Sequence, residues 1–130
     1  MHIAKCPCGA LTAHCEGELL RISVCHCLDC QRRSGSAFAV QARFAETNVR
    51  IEGPVRHYRR TDDSGRVATF SFCPDCGVTV AYRNHNIEGQ VAIPVGTFAD
   101  PAFPPPAFSI YEERKHPWVE IVGDAIERWR

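Results

Sequence analysis

Apolar and polar residues alternate along most of the chain with a period of two, the signature of strands that bury one face. In "GALTAHCEG" the residues Leu11, Ala13 and Cys15 share a face. Leu20, Ile22 and Val24 alternate with Arg21 and Ser23, and Phe38, Val40, Ala42 and Phe44 alternate with Gln41 and Arg43. The same pattern predicts strands over 48–52, 55–60, 66–72, 78–83, 90–96, 107–112 and 118–122, with Gly9, Gly17, Gly53, Gly65, Gly77 and Gly123 as turn positions between them. Helix is scarce. One short helix is predicted over 28–33, stopped by Gly35, and a second over 124–129 with Asp124 as its N-cap. The proline-rich stretch "DPAFPPPA" (100–107) lacks backbone donors and reads as an extended connector on the surface.

Composition narrows this picture. The length of 130 residues suits one domain, 1–130, with a modest core, and no linker or repeat divides it. Fifteen basic residues balance fifteen acidic ones, so no global charge draws the chain to nucleic acid or to anionic lipid. No apolar run has the length of a membrane span, and the start "MHIAKCPCG" is unlike a secretory signal. The expectation is a cytoplasmic protein with neither nucleic acid nor membrane as partner.

Eight cysteines change the picture most. A reducing compartment argues against disulfides, and seven of the eight stand in C-x-C or C-x-x-C clusters that suit a shared ion better than long-range bridges. "CPCG" and "FCPDCG" supply Cys6, Cys8, Cys73 and Cys76, a complete four-sulfur set for a closed structural zinc site. Gly77 lets the backbone turn so that amides point at the sulfurs. The rival reading of Cys73 and Cys76, a thioredoxin-type redox pair, would place a helix after them, whereas "VTVAYR" reads as a strand.

Cys25, Cys27 and Cys30 in "VCHCLDCQRRSG" form a second cluster, one ligand short of the four that zinc normally takes. Cys15 or His26 would close it; otherwise the fourth position is open. Cys15 sits on an apolar face, where a free cysteine acts as a small hydrophobe. The alternation of an extended C-x-C turns His26 away from its neighbours' face, as a pocket-lining group or a surface histidine. An open position on a three-thiolate zinc favours a soft sulfur donor, held as thiolate at neutral pH. The substrate class is then a thiol or a thiol adduct. Arg32, Arg33 and Ser34 follow at once and are the candidate substrate-binding residues; adjacent arginines on a short helix cannot both face one pocket.

C-x-C-G near the start, then C-H-C-x-x-C-x-x-x-x-G-S, then F-C-x-x-C-G, together with the ending "FSIYEERKHPWVEI", resemble the glutathione-dependent formaldehyde-activating enzyme family, which includes centromere protein V. The resemblance implies a mainly β fold of several small coiled antiparallel sheets with a zinc ribbon and little helix. It implies two zinc ions, a structural one on Cys6, Cys8, Cys73 and Cys76 and a catalytic or labile one on Cys25, Cys27 and Cys30. It implies a carbon–sulfur lyase or synthase that joins glutathione to formaldehyde as S-hydroxymethylglutathione. Many members carry histidine where Pro7 stands, a change that removes one backbone donor and leaves both ligands.

Candidate proton donors for such a reaction are His26, Ser34, Ser36 and His57. Two other functions compete. A zinc-ribbon binding module would use "RHYRR" (56–60), but alternation splits its charge between two faces and "TDDSG" follows. A thiol or zinc redox sensor would release metal from Cys25, Cys27 and Cys30 on oxidation. Phe98, Phe103 and Phe108, near the proline run, are candidates for a pocket wall or a homodimer contact, with core packing as the default.

Overall fold

Alternation becomes strand along most of the chain in the computed structural model, which describes residues 1–130. The strands are β1 (His2–Lys5), β2 (Thr12–Cys15), β3 (Leu19–Cys25), β4 (Ala39–Ala45), β5 (Val49–Glu52), β6 (Arg56–Thr61), β7 (Val67–Phe72), β8 (Thr79–Asn84), β9 (Gln90–Pro94), β10 (Phe108–Ile110) and β11 (Glu127–Arg128). The fold is mainly β, as expected, in two sheets. A three-stranded sheet runs β1-β2-β5, and an eight-stranded sheet runs β11-β10-β3-β4-β9-β8-β7-β6. Neighbours are antiparallel except that β10 lies parallel to both β3 and β11. The one α-helix, α1 (Leu28–Ser34), joins β3 to β4. No helix is long and apolar enough to cross a membrane.

The main core lies between the two sheets. Ala4, Ala13 and Cys15 from the small sheet, with Leu11 just before β2, meet Ile22, Ala42, Phe44, Val80, Val91 and Ile93 from the large one. A fully buried side chain of the size of Phe44 or Ile93 contributes ~1.5–3 kcal/mol. Phe98 and Phe103 stack on each other, ring centroids 4.5 Å apart, and pack against this core.

Strand β4 is central, and both of its faces are covered. Ala42 and Phe44 enter the core, while Ala39, Gln41 and Arg43 are buried on the opposite face. On that face the ladder register lines up Arg21, Arg43, Ala92, Tyr82, Phe70 and Tyr58 across six strands. Directly paired residues share a side of the sheet, so this row forms a floor of two guanidiniums beside three stacked or adjacent rings.

The chain departs from expectation at its ends. Residues 124–129, expected as a helix, contribute strand β11 instead. A six-residue helix nucleates poorly, whereas the edge of β10 offers ladder partners: the Trp129 amide donates to Ser109 O at 2.8 Å and the Glu127 amide to Ala107 O at 2.9 Å. Residues 118–122, expected as a strand, form no ladder and bury only Val119. His2–Lys5, too short to show alternation, pairs with β2. In the proline-rich stretch Asp100 caps a turn, its carboxylate accepting from the Ala102 amide at 2.9 Å, and residues 104–106 follow without regular structure.

Candidate metal centres and the adjoining cavity

Cys6, Cys8, Cys73 and Cys76 come together from two turns built alike. The Cys6 amide bonds to Leu11 O at 3.1 Å and the Cys73 amide to Val78 O at 3.0 Å. Gly9 and Gly77 both take φ of 80°, a left-handed conformation that glycine adopts without penalty. The Leu11 amide donates to Cys6 Sγ at 3.3 Å. Burial pushes the Cys6 thiol up, but this bond and the neighbouring thiols prevail and bring it down to about 6. The four Sγ atoms lie within 4.8 Å of one another, with Cys6–Cys8 and Cys8–Cys73 both at 3.6 Å. A tetrahedral zinc–thiolate centre, with bonds near 2.3 Å, sets its sulfurs about 3.8 Å apart. The donor set therefore fits a closed metal site.

Cys25, Cys27 and Cys30 form the second group, their Sγ atoms also within 4.8 Å of one another. Cys25 ends β3. Cys27 caps α1, accepting from the Cys30 amide at 3.3 Å, and the helix stops at Gly35, whose φ is 70°. Hydrogen bonds with Cys25, then Cys30, drive the Cys27 thiol down to about 2, and the bond with Cys27 pushes Cys25 far up. The cluster is thus one thiolate and its hydrogen-bonded partners, a soft donor set that fits a metal ion.

No other histidine, cysteine, aspartate or glutamate joins this second group. Cys15 is buried in the main core, where desolvation pushes its thiol up to about 11. His26 is turned to the other face, as the alternation predicts, but it is 0% exposed rather than on the surface. Its Nε2 lies 2.9 Å from Ser109 Oγ. Ser109 Oγ in turn donates to Glu112 Oε2 at 2.6 Å, and Arg128 Nη1 donates to the same oxygen at 3.2 Å. Since Ser109 spends its proton on Glu112, His26 donates from Nε2. Gln31 Nε2 bonds to His26 O at 2.9 Å and so ties α1 to the strand end.

The three sulfurs open on a cavity of about 530 Å³. Arg33 reaches it from α1, Gln41 and Arg43 from the floor of β4, and Arg60 from β6. The Arg33 guanidinium lies 4.9 Å from the Tyr82 ring centroid and that of Arg60 lies 4.9 Å from Phe70. Phe70 and Tyr82 stack with centroids 5.1 Å apart. Burial keeps the Tyr82 hydroxyl protonated far above its ordinary range.

The candidate substrate-binding residues separate. Arg32 is exposed and faces no described cavity, Arg33 is half-buried between two cavities, and Ser34 lines only the second. That second cavity, of about 810 Å³, lies against Cys6 and Cys76 of the four-sulfur group. Ser36 is exposed, its amide bonded to Ser34 Oγ. His57 bonds to Ser71 Oγ at 3.1 Å, on the side of β6 opposite Tyr58. Gln41, Arg43, Arg60 and Tyr82 escaped the sequence reading as site residues. For Gln41 and Arg43 the signal was present as the polar half of an alternation, but a polar face reads as solvent until the strand is known to be central.

No curated protein sequence matches the chain. A crystal structure of a Rhodobacter sphaeroides protein is similar in fold, with a TM-score of 0.59 at 19% identity, covering 98% of this chain and 99% of that one. The family described as glutathione-dependent formaldehyde-activating enzyme matches residues 1–114, a span that holds both cysteine groups and the whole floor of the cavity. With the match extending over all but the last strand and the segment before it, the chain belongs to the glutathione-dependent formaldehyde-activating enzyme family.

Proposed function

We propose that the protein is a zinc-dependent carbon–sulfur lyase or synthase acting on a thiol–aldehyde adduct, with glutathione and formaldehyde, joined as S-hydroxymethylglutathione, as the type pair. One observation carries the reading: a three-sulfur metal set that no fourth side chain completes faces a cavity lined by cationic side chains. Zinc on Cys25, Cys27 and Cys30 would supply a soft acceptor that keeps an incoming thiol deprotonated at neutral pH. Zinc on Cys6, Cys8, Cys73 and Cys76 would be structural.

The chain's own residues bind, orient and balance charge. Arg33 acts electrostatically on Cys30 and Arg60 on Cys27. The same guanidiniums are placed to offset the negative charge of an incoming thiolate and of the alkoxide that develops when sulfur adds to a carbonyl. The rings of Phe70 and Tyr82 hold them in place and line one wall, and the protonated Tyr82 hydroxyl is a candidate donor to that alkoxide. Seven of the eight cysteines stand in metal-suited clusters and none is paired in a disulfide, in keeping with a cytoplasmic setting.

The test is the rate of adduct formation above the spontaneous background, measured by exchange NMR on zinc-loaded protein with glutathione and several aldehydes. Enhancement that disappears in Cys27→Ser is expected. No enhancement with any thiol would remove the reading.

A further inference from the structure

The cavity holds a polar set that the metal does not explain. Arg43 is 9% exposed, and Asn84 Oδ1, at 2.9 Å, is the only partner of its guanidinium, which leaves Nη1 buried without one. Gln41, two residues earlier on the same face of β4, gives its Nε2 to Ser23 Oγ at 2.9 Å and leaves Oε1 buried without a partner. Buried polar atoms are nearly always paired, and each exception points to something that pairs it. Here the two orphans are an acceptor and a cationic donor in successive rows. The charge is not cancelled by protein: Arg33, Arg43 and Arg60 form no ion pair, while Asp62 on the same rim is spent on its own turn with Ser64 and Arg66.

The rows are ordered. Cys25 pairs with Ala39, Ser23 with Gln41 and Arg21 with Arg43. At about 3.4 Å per residue, the Gln41 row lies about 7 Å from the sulfur row and the Arg43 row about 14 Å from it. A ligand lying along β4 from the sulfurs therefore meets an acceptor first and a cation second.

We propose that Gln41 Oε1 receives an N–H of the substrate thiol and Arg43 its terminal carboxylate, so that these two side chains are the ones that select carboxylated thiols over neutral ones. This rests on the thiol reading above and adds the residues that recognise the thiol's backbone and carboxylate. A guanidinium receives a carboxylate with charge-assisted hydrogen bonds that a neutral amide cannot replace. Arg33 and Arg60, on their aromatic wall, add positive charge to a lining that also holds Asp29, Asp62 and Asp63.

The experiment is calorimetric binding to zinc-loaded full-length protein of N-acetylcysteinylglycine and of its C-terminal amide. They share the thiol and the N–H and differ only in the carboxylate. Wild type is expected to bind the acid on the order of tenfold to a hundredfold more tightly than the amide. Arg43→Gln is expected to bring the acid down to the level of the amide with both zinc ions retained by metal analysis, and Arg43→Lys to keep part of the preference. Should Arg43→Gln fail to fold, Gln41→Glu serves instead, because its carboxylate consumes Arg43 and repels the ligand. Equal affinities for acid and amide in wild type would overturn the proposal and leave thiol binding standing. A preference that survives Arg43→Gln would overturn the assignment to Arg43. Binding of neither compound would bring down the thiol reading itself and this proposal with it.

Discussion

At the scale of single residues, the second sulfur cluster divides its protons unequally. Hydrogen bonds with Cys25 and Cys30 hold the Cys27 thiol low, whereas Cys25 is pushed far up and enters a metal site only by losing a proton. Metal affinity at this cluster therefore falls as pH falls, because each step down makes the proton on Cys25 harder to displace. Competition titration with a chromogenic chelator between pH 8 and pH 6 is expected to show this loss. Cys27→Ser removes the one thiolate held without metal and is expected to lower the zinc content from two ions to one. Retention of both ions by the variant would show that the cluster is not the second site. His26 shows how far a residue can be read from its neighbours. Alternation alone turned it away from the sulfurs, but its burial against Ser109 depends on β10, a strand more than eighty residues further on.

At the scale of elements, the turn between β5 and β6 is closed by a contact that leaves no room. A β-carbon at Gly53, whose φ is 110°, would meet Ala10 O at 1.9 Å. The obstacle is backbone, which cannot swing aside. Gly53→Ala is expected to destabilise the protein by ~2 kcal/mol or more, read from the midpoint of urea unfolding. A change below ~0.5 kcal/mol would mean that the small sheet does not press on this turn as described. Elements were also where the sequence was most legible. Ile22, Val40 and Ala42 announce their strands because each strand has one apolar face, and α1 announces its end through Gly35. The tail misled because "DAIERW" carries helix formers with too few residues to nucleate, and the choice fell to whichever partner offered backbone hydrogen bonds. Gln41 and Arg43 misled in the opposite sense: their alternation was read correctly, but which side of the sheet faced water was a property of neighbours far away in sequence.

At the scale of the molecule, the four-sulfur site ties β1 and the first turn to the turn between β7 and β8, joining the small sheet to the large one across the main core. A single core in a chain of this length is modest, and a metal held here would close a long loop whose closure entropy otherwise opposes folding. Chelation of this ion is expected to lower the melting temperature by several degrees, detected by circular dichroism, and re-addition of zinc to restore it. A melting temperature indifferent to the chelator would show that the two sheets hold together without the staple.

The parallel pairing of β10 with β3 has a bearing on how the protein is made. Cys25, Cys27 and Cys30 are made well before the strand that braces them, with Ser109 behind His26 and Ile110 beside Cys25, some eighty residues later in the chain. The nascent chain can assemble its four-sulfur anchor once residue 76 is out. The three-sulfur cluster gains its rigid setting only after β10 has followed.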